Sequence, residues 1–415
     1  MKKAILTVAC FGILSTVGTL ADWSQWRGPH RDGISKETGL LKSWPEGGPA
    51  VLWSVEGLGE GYSSPSVTDD SVYVSGMVGT MGTLFAYDLQ GKLRWKRSYG
   101  PEFDDSYPGA RSTPTVDGDR VYVFSAHGVL GCFAAADGKK IWSVDVKAKY
   151  NGVLPKWGFA ESVLVDGGKV FCTPGGPNAS VVALDKMTGK EIWRTKGLSE
   201  SSGYCSPILA HHNGRDILIT LTAKSIVGIV PDTGKVLWKH GHITSYDVNA
   251  ITPVYVDGTV YVTSGYGSGG VLLRLSDDGT KVTEVWQDKT LDTHHGGVVV
   301  VDGYAYGSAM RRNWICLGMK DGKVRYEAKG VGKGSVTYAD GMLYTYAEKG
   351  TVGLVKATPS GHDVVSSFKV SKGAGPHWSH PVISEGRLYL RHGDAMVVYD
   401  IKAKQKAVEK AKVAP

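Results

Sequence analysis

After residue 50 the chain alternates hydrophobic and polar positions with the period of two that marks β-strands, and turn dipeptides cut the alternation into short runs. The stretch from Ser112 to Trp142, STPTVDGDRVYVFSAHGVLGCFAAADGKKIW, shows the unit. PTV is a short β run and Asp117-Gly118 a tight turn. RVYVFSA is an alternating strand, VLGCFAA a second apolar run, and Asp137-Gly138-Lys139 turns the chain into IWSVDV. Four strands in a meander are predicted. The same unit recurs, most visibly as a Gly followed four residues later by an aromatic: Gly91 to Trp95, Gly138 to Trp142, Gly189 to Trp193, Gly234 to Trp238 and Gly322 to Tyr326. Gly279 to Trp286 and Gly361 to Phe368 read as the same device with three residues inserted. These aromatics are 40 to 51 residues apart, which, given the strand period within, is the length of one four-stranded sheet.

A short β run, a turn and an alternating strand precede each marker, from PSVTDDSVYVSG to PVISEGRLYLRHG, giving eight hairpins but only seven outer strands. VLWSVEG at 51–57 carries Trp53, forty-two residues before Trp95, and matches the missing strand beside MVVYDI. The expected fold is all-β: an eight-bladed β-propeller of four-stranded antiparallel blades, its ring closed by the N-terminal strand 51–57 joining the last blade. The expected domains are a leader at 1–21, an N-terminal arm at 22–50, the propeller at 51–401 and a basic flexible tail at 402–415. The arm is expected to lie over the side of the propeller, fastened by Trp23, Trp26 and Trp44.

ALDKMTGKEIWRTK and VPDTGKVLWKH resemble the repeat of the pyrroloquinoline-quinone (PQQ) superfamily of propellers, and WSQWRGPHRDGIS with GYSSPSV is similar to its short exported members. The resemblance covers nearly all of residues 50–400. It implies that a turn Gly and an outer-strand Trp dock one blade on the next. WD-repeat and kelch signatures are absent from the sequence. Two functions follow from the resemblance. Quinone-dependent dehydrogenases of this superfamily oxidise alcohols or sugars with PQQ and calcium, but typically carry a vicinal Cys-Cys that this sequence lacks. BamB-type propellers of outer-membrane assembly have similar length and no cofactor, but are lipid-anchored, and Cys10 is poorly placed for lipidation.

Composition narrows the setting. Lys2 and Lys3 followed by the apolar Ala4–Leu20 read as a secretory signal peptide cut after Ala21, so a periplasmic or secreted protein is expected. No later stretch is apolar enough for a membrane span. Of the net charge of +7, the leader supplies two and the tail's five lysines, less Asp400 and Glu409, supply three, leaving about +2 for the body. A nucleic-acid partner is excluded on that basis. The expected partner is a small-molecule ligand or an exported protein, and the chain is expected to be a monomer. Cys132, Cys172, Cys205 and Cys316 each lie in or beside an apolar run and are expected as buried free thiols.

In a propeller the segments entering the innermost strands converge on one end of the axis, and ligand groups are sought there. These segments hold Arg111, Glu161, Asn249, His294, His295, His377 and His380. Glu161 is singled out as a base or cation ligand, because the equivalent positions Ser63, Ser112 and Cys205 are neutral. Arg111 is the candidate anion clamp. His294 and His295, with His377, His380 and Glu161, are candidate metal ligands, although neighbours on an extended segment point opposite ways, so that one of the two adjacent histidines is expected to face the funnel. Trp314, in the run Arg311-Arg312-Asn313-Trp314 between two strands of the sixth blade, is a further candidate for the cofactor. The expected role is binding at the axial funnel without catalysis. The alternative is a PQQ-dependent dehydrogenase in which Glu161 is the base.

Overall fold

The computed structural model describes residues 23–311 and 313–404. The leader and the tail from residue 405, on which export and tail flexibility were expected, lie outside the described residues. Eight antiparallel sheets follow in chain order: residues 66–101, 115–145, 164–194, 208–241, 254–288, 298–328, 334–369 and 382–400, here blades 1 to 8. The fold is an all-β propeller with eight blades. Among the described residues the α-helical element is one short turn at Val146–Tyr150. The strand expected at 51–57 runs from Ala50–Val55 and lies outermost in blade 8, with Val51 opposite Tyr399 and Trp53 opposite Val398.

The repeated Gly and aromatic have a common geometry. In seven blades the register slips by one residue just before the outer-strand aromatic, for example between Lys140 and Trp142 and between Val51 and Trp53. Such a bulge adds local twist and re-aims the next side chain. The indole is thereby turned toward the following blade. Trp53, Trp95, Trp142, Trp193 and Trp286 each donate Nε1–H to a carbonyl there, of Leu89, Ala135, Lys186, Pro231 and Met319, at 2.8–3.0 Å. The turn Gly of the next blade lies flat against the indole. At Gly138, φ is +70° and a Cβ would come 2.5 Å from the Trp95 ring. A side chain there is refused twice, by backbone and by ring. Gly138→Ala is expected to lower stability by about 2 kcal/mol or more, read as a lower urea midpoint with an unchanged m-value.

Blade 7 departs from the pattern. Its bulge precedes Ser366, not Phe368, so the position of the outer-strand indole is held by a serine. Trp44 of the arm takes that place. Its ring lies 6.0 Å from Tyr344, matching Tyr122–Trp142 at 6.0 Å and Tyr73–Trp95 at 5.9 Å, and its backbone N–H donates to Ser366 Oγ at 2.9 Å. Blade 5 also differs: with three inserted residues, Gly279 meets Ile217 instead of Trp238.

The later part of the arm lies on the side of the ring, where Trp44 packs against Phe368 of blade 7, but its first part does not. Trp23 pairs with Val67 of blade 1, and Ser24 accepts from Val116 of blade 2. Arg31 donates to the carbonyls of Ser162 and Val163 at blade 3. Trp26 donates to Thr252 before blade 5, and Arg27 donates to the carbonyl of Val298 in blade 6 and pairs with His380 before blade 8. Ile34–Ser35 then adds a parallel fifth strand to blade 7. Contacts with seven innermost edges inside thirteen residues put this first part across one end of the axis, where buried guanidiniums satisfy carbonyls that the converging strands leave unpaired. The tail's first residues pack as well, Ala403 donating to Gly39. All four described cysteines are buried and free. No described helix is long and apolar enough to cross a membrane.

Candidate functional site

At the other end of the axis is an open cavity of about 630 Å³. Its wall is a belt of rings in successive contact. Tyr204 meets Trp157 at 6.4 Å, Trp157 meets Tyr246 at 5.9 Å, Tyr246 meets Tyr266 at 5.6 Å, and Tyr266 meets His294 at 5.2 Å. The belt continues through His295 at 5.1 Å to Trp378 at 5.2 Å, and Trp378 touches Tyr62 and Tyr107 at 4.8 and 5.1 Å. Trp26 of the arm also lines the cavity. Three cations and one carboxylate are set among the rings: Arg111, Lys156, Lys333 and Glu348. Lys156 Nζ lies over Trp157 and Tyr246 at 4.8 and 4.7 Å, and Arg111 lies over Tyr62 at 5.7 Å. Four of the five tyrosines, Tyr107, Tyr204, Tyr246 and Tyr266, have left-handed backbones with φ between 57° and 70°. For a bulky residue that conformation costs on the order of 1–3 kcal/mol, and four such residues gather around this one cavity.

Of the residues expected here, Arg111, His294 and His295 line the cavity. Arg111 does not pair with Glu161; it donates to the carbonyls of Gly109 and Tyr107 at 2.9 and 2.6 Å. Both adjacent histidines face inward, against the expectation of one, because residues 294–296 form a bend and not an extended strand. Burial, reinforced for His294 by Lys333, pushes His294 down to about 4 and His295 well below its ordinary value, so both imidazoles are neutral at pH 7.

Glu161, Asn249, His377, His380 and Trp314 do not line the cavity. Alternation along the entering segments explains the first three. Ala160 and Ser162 face the axis, as do Val248 and Ala250, and Trp378, so the residue beside them turns into the blade. Glu161 is fully buried, accepts from the Thr173 N–H at 2.8 Å and is pushed up to about 8 by burial. Asn249 makes five bonds: its amide donates to the carbonyls of Thr222, Ala223 and His242, and its oxygen accepts from Thr244 and Ser264. His377 bonds Tyr346 and stacks on His392 at 3.4 Å. His380 lies beneath the floor, between Trp26 at 4.6 Å and Arg27. Trp314 is packed in the wall of blade 6, stacked on His362 and donating to the Gly332 carbonyl.

Sequence reasoning missed Tyr266, Met310 and Glu348. They lie on the loops joining second to third strands in blades 5, 6 and 7, between Ser264 and Gly269, Ser308 and Trp314, and Ala347 and Thr351. An antiparallel meander returns that loop to the same end as the entering segment, and this was the signal available. Glu348 is held by Lys333 Nζ at 2.9 Å and Trp378 Nε1 at 2.9 Å.

A family model described as outer membrane protein assembly factor BamB matches residues 80–325. The outer membrane protein assembly factor BamB of Kangiella koreensis is 24% identical over 210 residues, 49% of this chain and 49% of that protein. A quinoprotein ethanol dehydrogenase of Pseudomonas aeruginosa is 29% identical over 157 residues, 35% of this chain and 24% of that enzyme. The chain thus spans from about a quarter to about half of the length of these curated relatives. Among solved structures, the quinohemoprotein alcohol dehydrogenase of Comamonas testosteroni superposes with a TM-score of 0.70 at 13% identity, covering 95% of this chain and 82% of that one. BamB of Moraxella catarrhalis superposes with a TM-score of 0.62 at 15% identity, covering 86% and 99%. At these identities the superpositions speak for the fold.

Proposed function

From a chain that belongs to the family of outer membrane protein assembly factor BamB, with quinoprotein dehydrogenases also among its relatives, we propose an exported propeller that binds a small organic anion at its axial funnel without catalysis. The observation that carries this reading is the continuous belt of rings interleaved with three cations and one already neutralised carboxylate. Ring faces take up a flat or apolar body, and Arg and Lys take up carboxylates. Export rests on the leader at residues 1–21.

The dehydrogenase alternative asks for calcium and a base at the quinone. Calcium takes six to eight oxygen ligands. The carboxylate and amide of the expected types, Glu161 and Asn249, face into the blades, and Glu348 in the funnel is bonded to a lysine. The donor set does not fit calcium, whereas the belt and cations fit a flat polycarboxylate such as PQQ in the role of a bound anion.

The test is a titration of mature protein with PQQ and with aromatic and aliphatic carboxylates, with and without calcium, followed by tryptophan fluorescence and by dye reduction with alcohols and sugars. Saturable, calcium-independent binding without dye reduction is expected. Arg111→Ala and Trp378→Ala should each weaken it about 10- to 100-fold, the value of a charge-assisted bond or a ring face. Calcium-dependent turnover would overturn the non-catalytic reading. Absence of binding by every carboxylate would overturn the ligand reading and leave a protein partner.

A further inference from the structure

We propose that His294, His295 and Glu348 form a binding site for a borderline divalent transition ion, of the zinc or cobalt type, on the funnel wall. Ligand atoms of the three side chains all lie within 4.8 Å of one another. Both ring nitrogens of His295 are sealed from solvent and neither has a hydrogen-bond partner, although Nε2 is 3.1 Å from Oε1 of Glu348. Buried polar atoms are nearly always satisfied, so this pair points to a missing occupant.

The occupant is a cation. Lys333 Nζ stands in its place, 2.9 Å from Glu348 Oε1 and 3.1 Å from His294 Nδ1. An imidazole nitrogen that accepts from an ammonium presents its lone pair to the same point, and His294 Nε2–H is then free to donate to Tyr266 Oη at 3.2 Å. That leaves His294 in the tautomer a metal requires. Outer partners are built as well: Tyr266 orients His294, and Trp378 Nε1 donates to Glu348. Two imidazoles and one carboxylate suit zinc or cobalt and not the hard calcium or magnesium ions, and three protein ligands leave a fourth position open to the cavity. The flexible lysine is a resident surrogate charge that must swing into the funnel when the ion enters.

This inference does not rest on the organic-anion reading, because the ion is titrated alone. Untagged mature protein stripped with chelator is titrated with Co²⁺, followed by its visible absorption, and with Zn²⁺, followed by calorimetry. One equivalent at micromolar affinity, with the intense absorption of four-coordinate cobalt, is expected. Lys333→Met removes the competing ammonium and should tighten binding about 10-fold. Trp378→Phe should weaken it by the roughly 10- to 100-fold typical of a lost outer partner. Glu348→Gln and His295→Asn, checked for unchanged thermal unfolding without metal, should weaken it by about 100-fold or more. Binding retained in both of these variants would place the ion elsewhere and overturn the proposal. So would absence of binding in both the parent and Lys333→Met.

Discussion

Arg391→Ala is expected to destabilise the propeller by about 3–5 kcal/mol, the range for breaking a buried charged network. The residue is 1% exposed. From blade 8 it donates to Ser63 Oγ, to the carbonyls of Ser75 and Gly59, and to Gly393, so one side chain ties the last blade to the first and to the segment between the arm and blade 1. Removing it leaves several acceptors without donors in a place water cannot enter, and opens a void the size of a long side chain. Two companions separate these causes. Arg391→Met refills most of the volume but none of the bonds and should recover only part of the loss. Arg391→Lys keeps the charge yet cannot reach divergent acceptors from one nitrogen, and should fall between the parent and Met. Urea unfolding measures all three, and hydrogen exchange on Ala50–Val55 and Ser71–Val78 should show the seam opening first. A loss under 1 kcal/mol for the alanine variant would mean that the first and last blades are held by their hydrophobic contacts alone.

How much of this was legible in the sequence follows from which periodicities survive local bends. Strand alternation and the Gly-to-aromatic spacing report contacts made inside or between adjacent blades, so the eight sheets and the lone N-terminal strand could be read directly. The convergence of entering segments on one axial end could also be derived, and it brought Arg111, His294 and His295 to the cavity. What failed was phase. Glu161 stood out by charge, yet it shares its face with Ser63, Ser112 and Cys205, and that face turns into the blades; the inward positions were the unremarkable Ala160 and Ser162 on either side. The two adjacent histidines failed in the opposite sense, because a bend suspends the alternation that would have separated them. Trp44 and Arg27 act across hundreds of residues, filling a gap in blade 7 and reaching His380, and no local pattern announces a partner at that separation.

Glu161→Gln is expected to be stabilising at pH 8 and nearly neutral at pH 4, a difference that a carboxylate serving as an exposed base would not produce. The Glu161 carboxyl, 0% exposed, is pushed up to about 8, first by burial and only partly offset by the Thr173 bonds and the Arg31 charge. In the unfolded chain it releases its proton near the ordinary value of 4.5. Below that pH both states are protonated and the native contribution is intact; as pH rises toward 8 the unfolded state ionises while the folded state must hold the proton, and stability falls by up to about 1.4 kcal/mol per pH unit. Glu102, pushed up to about 7 by burial, adds loss of the same sign between its ordinary 4.5 and 7. The difference between Glu161→Gln and the parent isolates one group. A glutamine keeps the oxygen that accepts from the Thr173 N–H, and its amide can donate to Thr173 Oγ1 in place of the protonated carboxyl. Urea midpoints of parent and variant measured from pH 4 to pH 9 should therefore coincide at the acid end and diverge steadily to about pH 8, reaching several kcal/mol. Parallel curves would mean that Glu161 is ionised in the native protein, with Arg31 as its counter-ion. The carboxylate would then be held charged just behind the funnel wall, and the case for the dehydrogenase reading would reopen.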